Sequence, residues 1–98
     1  MSGEVTIYRV VCRPTGEAYV GSTRQRIEAR FGHHRSRLNA GWHRSRRLQA
    51  AWRKFGERAF EFSVVEVVPE RERSVAEWRA MQNCRSTFNS LDERGVRR

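Results

Sequence analysis

Residues 4–12, EVTIYRVVC, alternate apolar and polar positions as a strand does, and Arg13-Pro14-Thr15-Gly16 has Pro second and Gly fourth, the pattern of a β-turn. Residues 17–21, EAYVG, then return antiparallel. If 13 pairs with 16, Tyr19 faces Val10 and Gly21 faces Tyr8, which makes Tyr8 and Tyr19 diagonal neighbours on one face of the sheet. A shift of two residues keeps them on that face, and only a slip of one separates them. Gly21, lacking Cβ, leaves room opposite Tyr8 for a phosphate or for a helix to approach.

Beyond the hairpin the period changes. Ser22 or Thr23 can cap a helix over 24–39, in which Ile27, Phe31, His34 and Leu38 recur at steps of four, three and four. Asn39-Ala40-Gly41 stops it. A second helix from about Ser45 to Phe55 presents Leu48, Trp52 and Phe55 on one face, and Gly56 ends it. Residues 59–68, AFEFSVVEVV, alternate at first and then run nearly continuously apolar, which predicts a middle strand covered on both sides. Pro69 suits a first helical position, and 70–82 form a third helix with Val75, Trp78 and Met81 inward. The order is β-β-α-α-β-α, an α+β chain. At 98 residues it is one domain, 1–98, with a core of about 4–91 and a tail from about Asp92 expected to fray.

Composition adds a partner. Hydrophobic residues make up 38% and aromatics 10%, enough for a core and unlike a disordered chain. The formal charge of +9 comes from nineteen arginines and one lysine, side chains suited to bidentate phosphate contacts. Its placement matters more than its size. Residues 22–58 hold eleven basic residues against two acids, Glu28 and Glu57, so that the rest of the chain is neutral and the excess forms one block, as in a nucleic-acid footprint. Cys12 and Cys84 fit no metal-ligand spacing and are read as reduced. No apolar run approaches a membrane span, and a cytoplasmic setting is expected, in a bacterial or phage-infected cell.

The order Thr6-Ile7-Tyr8, a short turn, Tyr19-Val20-Gly21-Ser22-Thr23, Arg30 and His34 four apart, a further His43, an isolated Glu77 and a late Asn89 resembles the GIY-YIG nuclease family. Thr6 stands for the usual Gly and Val20 for the usual Ile, and Phe88 precedes Asn89 where a Tyr is common. The resemblance runs from about residue 5 to 91. It implies a three-stranded antiparallel sheet flanked by helices that hydrolyses phosphodiesters with one divalent ion per site, Mg²⁺ or Mn²⁺.

Under that resemblance the catalytic set is Tyr8, Tyr19, Arg30, His34 and Glu77. Glu77 is the metal ligand, a hard carboxylate suited to an ion that keeps its waters; Ser74-Val75-Ala76-Glu77 also fits a capping box. Arg30 and His34 share a helix face, the guanidinium to grip a non-bridging oxygen and the imidazole to relay a proton with Tyr8. Tyr8 is the general base or a link to it, which requires cations nearby because a free phenol has a pKa of ~10. Tyr19 would hold the water or the phosphate. His43, Arg24, Arg26, Arg37, Arg46, Arg47 and Asn89 are candidates for nucleic-acid contact, His43 also for aid to the leaving group and Asn89 for steadying Glu77. His33 is read as solvent-facing.

The expected activity is metal-dependent cleavage of DNA, nicking from one site or cutting both strands as a dimer, with RNA left open and a homodimer or targeting partner allowed. Two rivals remain at this point. One is a basic binding module of the same fold without catalysis. The other is a ββα-metal nuclease built on His33, His34 and an Asn, but the two histidines lie inside a helical pattern.

Overall fold

The computed structural model describes residues 3–89. In chain order it contains β1 (Glu4–Cys12), β2 (Ala18–Thr23), α1 (Ile27–Ala40), α2 (Arg46–Phe55), β3 (Phe60–Pro69) and α3 (Arg73–Gln82), with short 3₁₀ turns at Glu57–Ala59, Glu70–Glu72 and Thr87–Asn89. The strands form one antiparallel sheet in the order β2-β1-β3. β1 is therefore the middle strand, not β3 as the apolar run suggested.

Burial explains the difference. Val5, Ile7, Tyr8, Val10 and Cys12 of β1 are all at most 1% exposed, whereas Val64, Val65 and Val67 of β3 stand in solvent. At roughly 1.5–3 kcal/mol for each large apolar side chain fully buried, the central position suits the strand with apolar groups to hide on both faces. The run in β3 arises from a bulge: Glu66 pairs with Ile7 and Val64 with Tyr8, leaving Val65 as an extra residue that breaks the alternation.

One side of the sheet packs Val10, Cys12 and Phe60 against Leu38 of α1, Leu48 and Trp52 of α2, and Phe88. The other side packs Val5, Ile7, Val20 and Val68 against Ala76 and Ala80 of α3, with Met81 alongside. Val75 and Trp78, expected inward, are 60% and 63% exposed. The two alanines, four apart, let α3 lie close to the strands, and that rotates the larger side chains outward. Pro69 ends β3 instead of opening the helix.

α2 is capped as expected, with the Ser45 side chain accepting from the Leu48 amide. α1 is not. It begins at Ile27 after Arg26 with no side-chain cap, because Thr23 is still in β2, where its hydroxyl accepts from the Gln25 amide in a tight turn, and Ser22 is engaged elsewhere. Both cysteines are free. No helix among the described residues is long and apolar enough to cross a membrane. The tail expected from Asp92 lies outside the described residues.

Candidate active site

The hairpin register is the one read from the turn: Tyr8 pairs with Gly21 and Val10 with Tyr19. Both phenols lie on the α1–α2 side of the sheet. Gly21 does have a steric reason, though a different one. A Cβ there would stand 2.5 Å from Cζ of Tyr8, so it is the phenol ring itself, not a phosphate or a helix, that occupies the space. The ring is held on another side by Phe31 of α1, edge-on with centroids 5.6 Å apart.

From the Tyr8 oxygen a line of hydrogen bonds runs inward. Nε2 of His34 lies 2.6 Å from it, Nδ1 of His34 lies 2.7 Å from Nε2 of His43, and Nδ1 of His43 accepts from the backbone N–H of Ser45 at 3.0 Å. The His43 amide donates to Oε1 of Gln49 at 2.8 Å, and Nε2 of Gln49 donates to the Leu38 carbonyl at 3.0 Å, which fixes the loop between α1 and α2. Arg30, one turn before His34, donates from Nε to the same Tyr8 oxygen at 3.2 Å. Tyr19 closes the group, its ring edge-on to His34 and His43 at 5.4 and 5.7 Å, and its hydroxyl takes no protein partner among the described residues.

Burial sets the protonation states. The Tyr8 phenol is fully buried and is pushed up to about 12, with the Arg30 hydrogen bond working against that rise. Tyr19 is raised by burial as well. His34, 4% exposed, is pushed down to about 3 by burial and by His43 and Arg30, and His43, 7% exposed, to about 4 by burial and by Arg37 and Arg30. Both imidazoles are neutral at pH 7.

Glu77 approaches from the opposite element. It sits in the middle of α3, and Ser74 is the second residue of that helix, so no capping box forms. Its Oε2 accepts from the Ser22 hydroxyl at 2.5 Å, and Nη1 of Arg73 donates to the same Ser22 oxygen at 2.9 Å. Arg73 is in turn clamped by both oxygens of Glu70. The other Glu77 oxygen, Oε1, accepts from no protein group among the described residues, and after burial, which dominates, the Glu77 charge adds a little to the upward push on Tyr8 and Tyr19. Ser22 was read as a helix cap, and Arg73 lay outside the basic block. Neither position carries a sequence signal that separates it from ordinary surface residues.

Other candidates sit elsewhere. Asn89, expected beside Glu77, pairs instead with the backbone of Val20, accepting from its N–H and donating to its carbonyl at 2.7 Å, and so seals the edge of β2. His43, expected to reach a nucleic-acid backbone, is buried behind His34. Arg24 pairs with Glu70 and Arg26 with Glu28 on the surface, Arg37 lies over the exposed Trp42 ring, and Arg46 and Arg47 are exposed at the start of α2. His33 is exposed, as read.

No cluster of three or more His, Cys, Asp or Glu able to hold a metal exists among the described residues. The donor chemistry nevertheless fits one hard, hydrated divalent ion, for which a single carboxylate with a free oxygen suffices and the remaining positions stay with water or phosphate.

The sequence profile of the GIY-YIG catalytic domain matches residues 4–89. Among solved structures, the catalytic domain of the homing endonuclease I-TevI superposes with a TM-score of 0.77 at 28% identity, covering 87% of this chain and 92% of that one. A mutant of the catalytic domain of the intron endonuclease I-TevI gives a TM-score of 0.70, also at 28% identity, over 95% and 96% of the two chains. No curated protein matches the chain in sequence.

Proposed function

The chain belongs to the GIY-YIG family and is an endonuclease of that type, acting on nucleic acid, and from that membership we propose that it hydrolyses DNA phosphodiesters with a divalent ion held by Glu77. The observation that carries the reading is the Tyr8–Arg30–His34 cluster, with the Glu77 carboxylate of α3 bonded to Ser22, the residue that follows the Gly21 facing Tyr8. Likeness to a homing-endonuclease catalytic domain and the arginine block of residues 22–58 favour DNA as the polyanion.

Hydrolysis needs a base, a counter-charge and a placed water. Glu77 would hold Mg²⁺ or Mn²⁺ through the oxygen Ser22 leaves free; such an ion, when bound, supplies positive charge against the phosphate and makes nearby water more acidic. With its phenol at about 12, Tyr8 is ionised in roughly one molecule in 10⁵ at pH 7, so its proton leaves only with cations close by. The ionised oxygen keeps Arg30 as a donor. As a water attacks phosphorus, its proton passes to the Tyr8 oxygen, the new P–O bond forms, and the bond to the departing sugar oxygen breaks, that oxygen taking a proton from solvent. With Nε of Arg30 on Tyr8, its Nη1 and Nη2 would be left for the non-bridging oxygens, and the Tyr19 hydroxyl would orient the water or the phosphate. One such site cuts one strand per visit. A break in both strands needs a second copy or a second visit.

The experiment is incubation of supercoiled plasmid with the purified chain in Mg²⁺, in Mn²⁺ and in chelator. Nicked circles in either metal and none in chelator are expected. Binding without cleavage in both metals would make the chain a catalytically silent module, and cleavage of RNA alone would move the substrate class.

A further inference from the structure

The backbone amide of Ser45 can only donate, and its N–H points at Nδ1 of His43 over 3.0 Å. Nδ1 therefore carries no proton, and the single proton of a neutral His43 sits on Nε2. That N–H faces Nδ1 of His34 at 2.7 Å, and the ring centroids, 4.9 Å apart with the planes at 27°, are compatible with an in-plane N–H···N bond. His34 is then forced in the same way: Nδ1 accepts, Nε2 bears the proton, and Nε2–H donates to the Tyr8 oxygen at 2.6 Å. The reverse polarity fails at its last link, because a proton on Nδ1 of His43 would meet the Ser45 N–H head-on.

We infer that the Ser45 amide fixes the tautomers of His43 and His34 in series, so that the Tyr8 oxygen receives two N–H donors, from His34 and Arg30, and its own hydroxyl proton is turned away from the histidines. Resting on the proposed role of Tyr8 as base, this makes His34 a hydrogen-bond donor to the phenolate and not a proton acceptor, and His43 a positioning residue. It departs from the proton relay between His34 and Tyr8 that the family resemblance implied. Three features hold the anchor in place. Ser45 is the N-cap of α2, and its side chain is fixed by the Leu48 amide and the Phe88 carbonyl. The residue three after the cap is Leu48, not the Glu or Gln that would return to the cap's own N–H in a capping box, and His43 takes that donor instead. Gln49 pins the His43 backbone.

The test uses the whole chain without substrate. Long-range ¹H–¹⁵N correlation spectra of the imidazoles at pH 7, with His33 assigned through His33→Gln, should show both His34 and His43 as neutral Nε2–H tautomers. Either ring in the Nδ1–H form, or charged, overturns the inference. In His43→Leu the His34 ring should sample both tautomers while kcat falls about tenfold or more and KM stays near wild type; His43→Gln, whose amide can still donate, should restore the Nε2–H form and most of the rate. His34 remaining wholly Nε2–H in His43→Leu would also overturn it. If the tautomers are as stated and the chain cuts nothing, the hydrogen-bond chain stands and the nuclease reading falls.

Discussion

The Tyr8 oxygen and Nε2 of His34, 26 residues apart in sequence, lie 2.6 Å apart in a buried contact between β1 and α1. That contact joins a strand that must be central, because its apolar groups need cover on both faces, to a helix whose stripe carries one imidazole among apolar residues. Arg30, on the same helix face, reaches the same oxygen.

Replacing Tyr8 by Phe is expected to lower the cleavage rate by about 10²–10⁴ while leaving the fold intact, since the ring still packs on Phe31. Stability should fall by about 1–3 kcal/mol, because the buried His34 loses its partner. Single-turnover rates and urea denaturation measure the two effects.

Gly21→Ala puts a methyl group onto the phenol ring of Tyr8. A loss of about 1–3 kcal/mol is expected, the cost of forcing volume into a packed site, with a larger loss of activity than of stability as the phenol is displaced. A variant with wild-type denaturation midpoint and cleavage rate would show that the ring has another place to go.

His34 and His43 have folded pKa values of about 3 and 4, below the 6.5 of an unfolded histidine. Their neutral forms favour the fold above pH 6.5, and that contribution is lost as pH falls from 6.5 to the folded values, since over that window the unfolded chain binds protons that the folded chain does not. The groups acting on them are Tyr8 and Tyr19 from the strands, Arg30, His33 and Arg37 from α1, and Arg44 from the following loop. From pH 7 to pH 5 the loss should be at most about 2 kcal/mol per histidine. Denaturation midpoints across that range should fall with pH, and the double variant His34→Gln/His43→Gln should flatten the slope.

Much of this site was legible in the sequence, and the reasons differ by residue. The two phenols share a face through strand parity, which survives small errors of register. Arg30 and His34 share a face through the helical period. The position of β3 was misread because the bulge at Val65 converts an alternating strand into an apolar run. The inward face of α3 was misread because Ala76 and Ala80 carry less hydrophobic signal than Val75 and Trp78, which point outward. His43 could not be told from a loop histidine, since its anchor is a backbone amide that has no letter in the sequence. Asn89 and Ser22 were indistinct for a related reason: short polar side chains serve strand edges, caps and carboxylates equally well.

Affinity for duplex DNA should fall steeply with salt. If about four arginines of the 22–58 block meet phosphates, raising salt from 50 to 200 mM should weaken binding about 100-fold, and removing one such arginine should reduce the log–log slope by about one unit. Titrations of a labelled duplex at several salt concentrations measure that slope.

The site as a whole stands or falls on Glu77, and one side-by-side assay of the wild type and Glu77→Gln decides it: plasmid nicking in Mg²⁺ and Mn²⁺, with duplex binding measured on the same samples. Glu77→Gln should bind DNA within about threefold of wild type and cut it at least about 10³-fold more slowly. A variant that nicks at the wild-type rate would remove the carboxylate from the chemistry, and with it the reading of this cluster as a metal-assisted nuclease site.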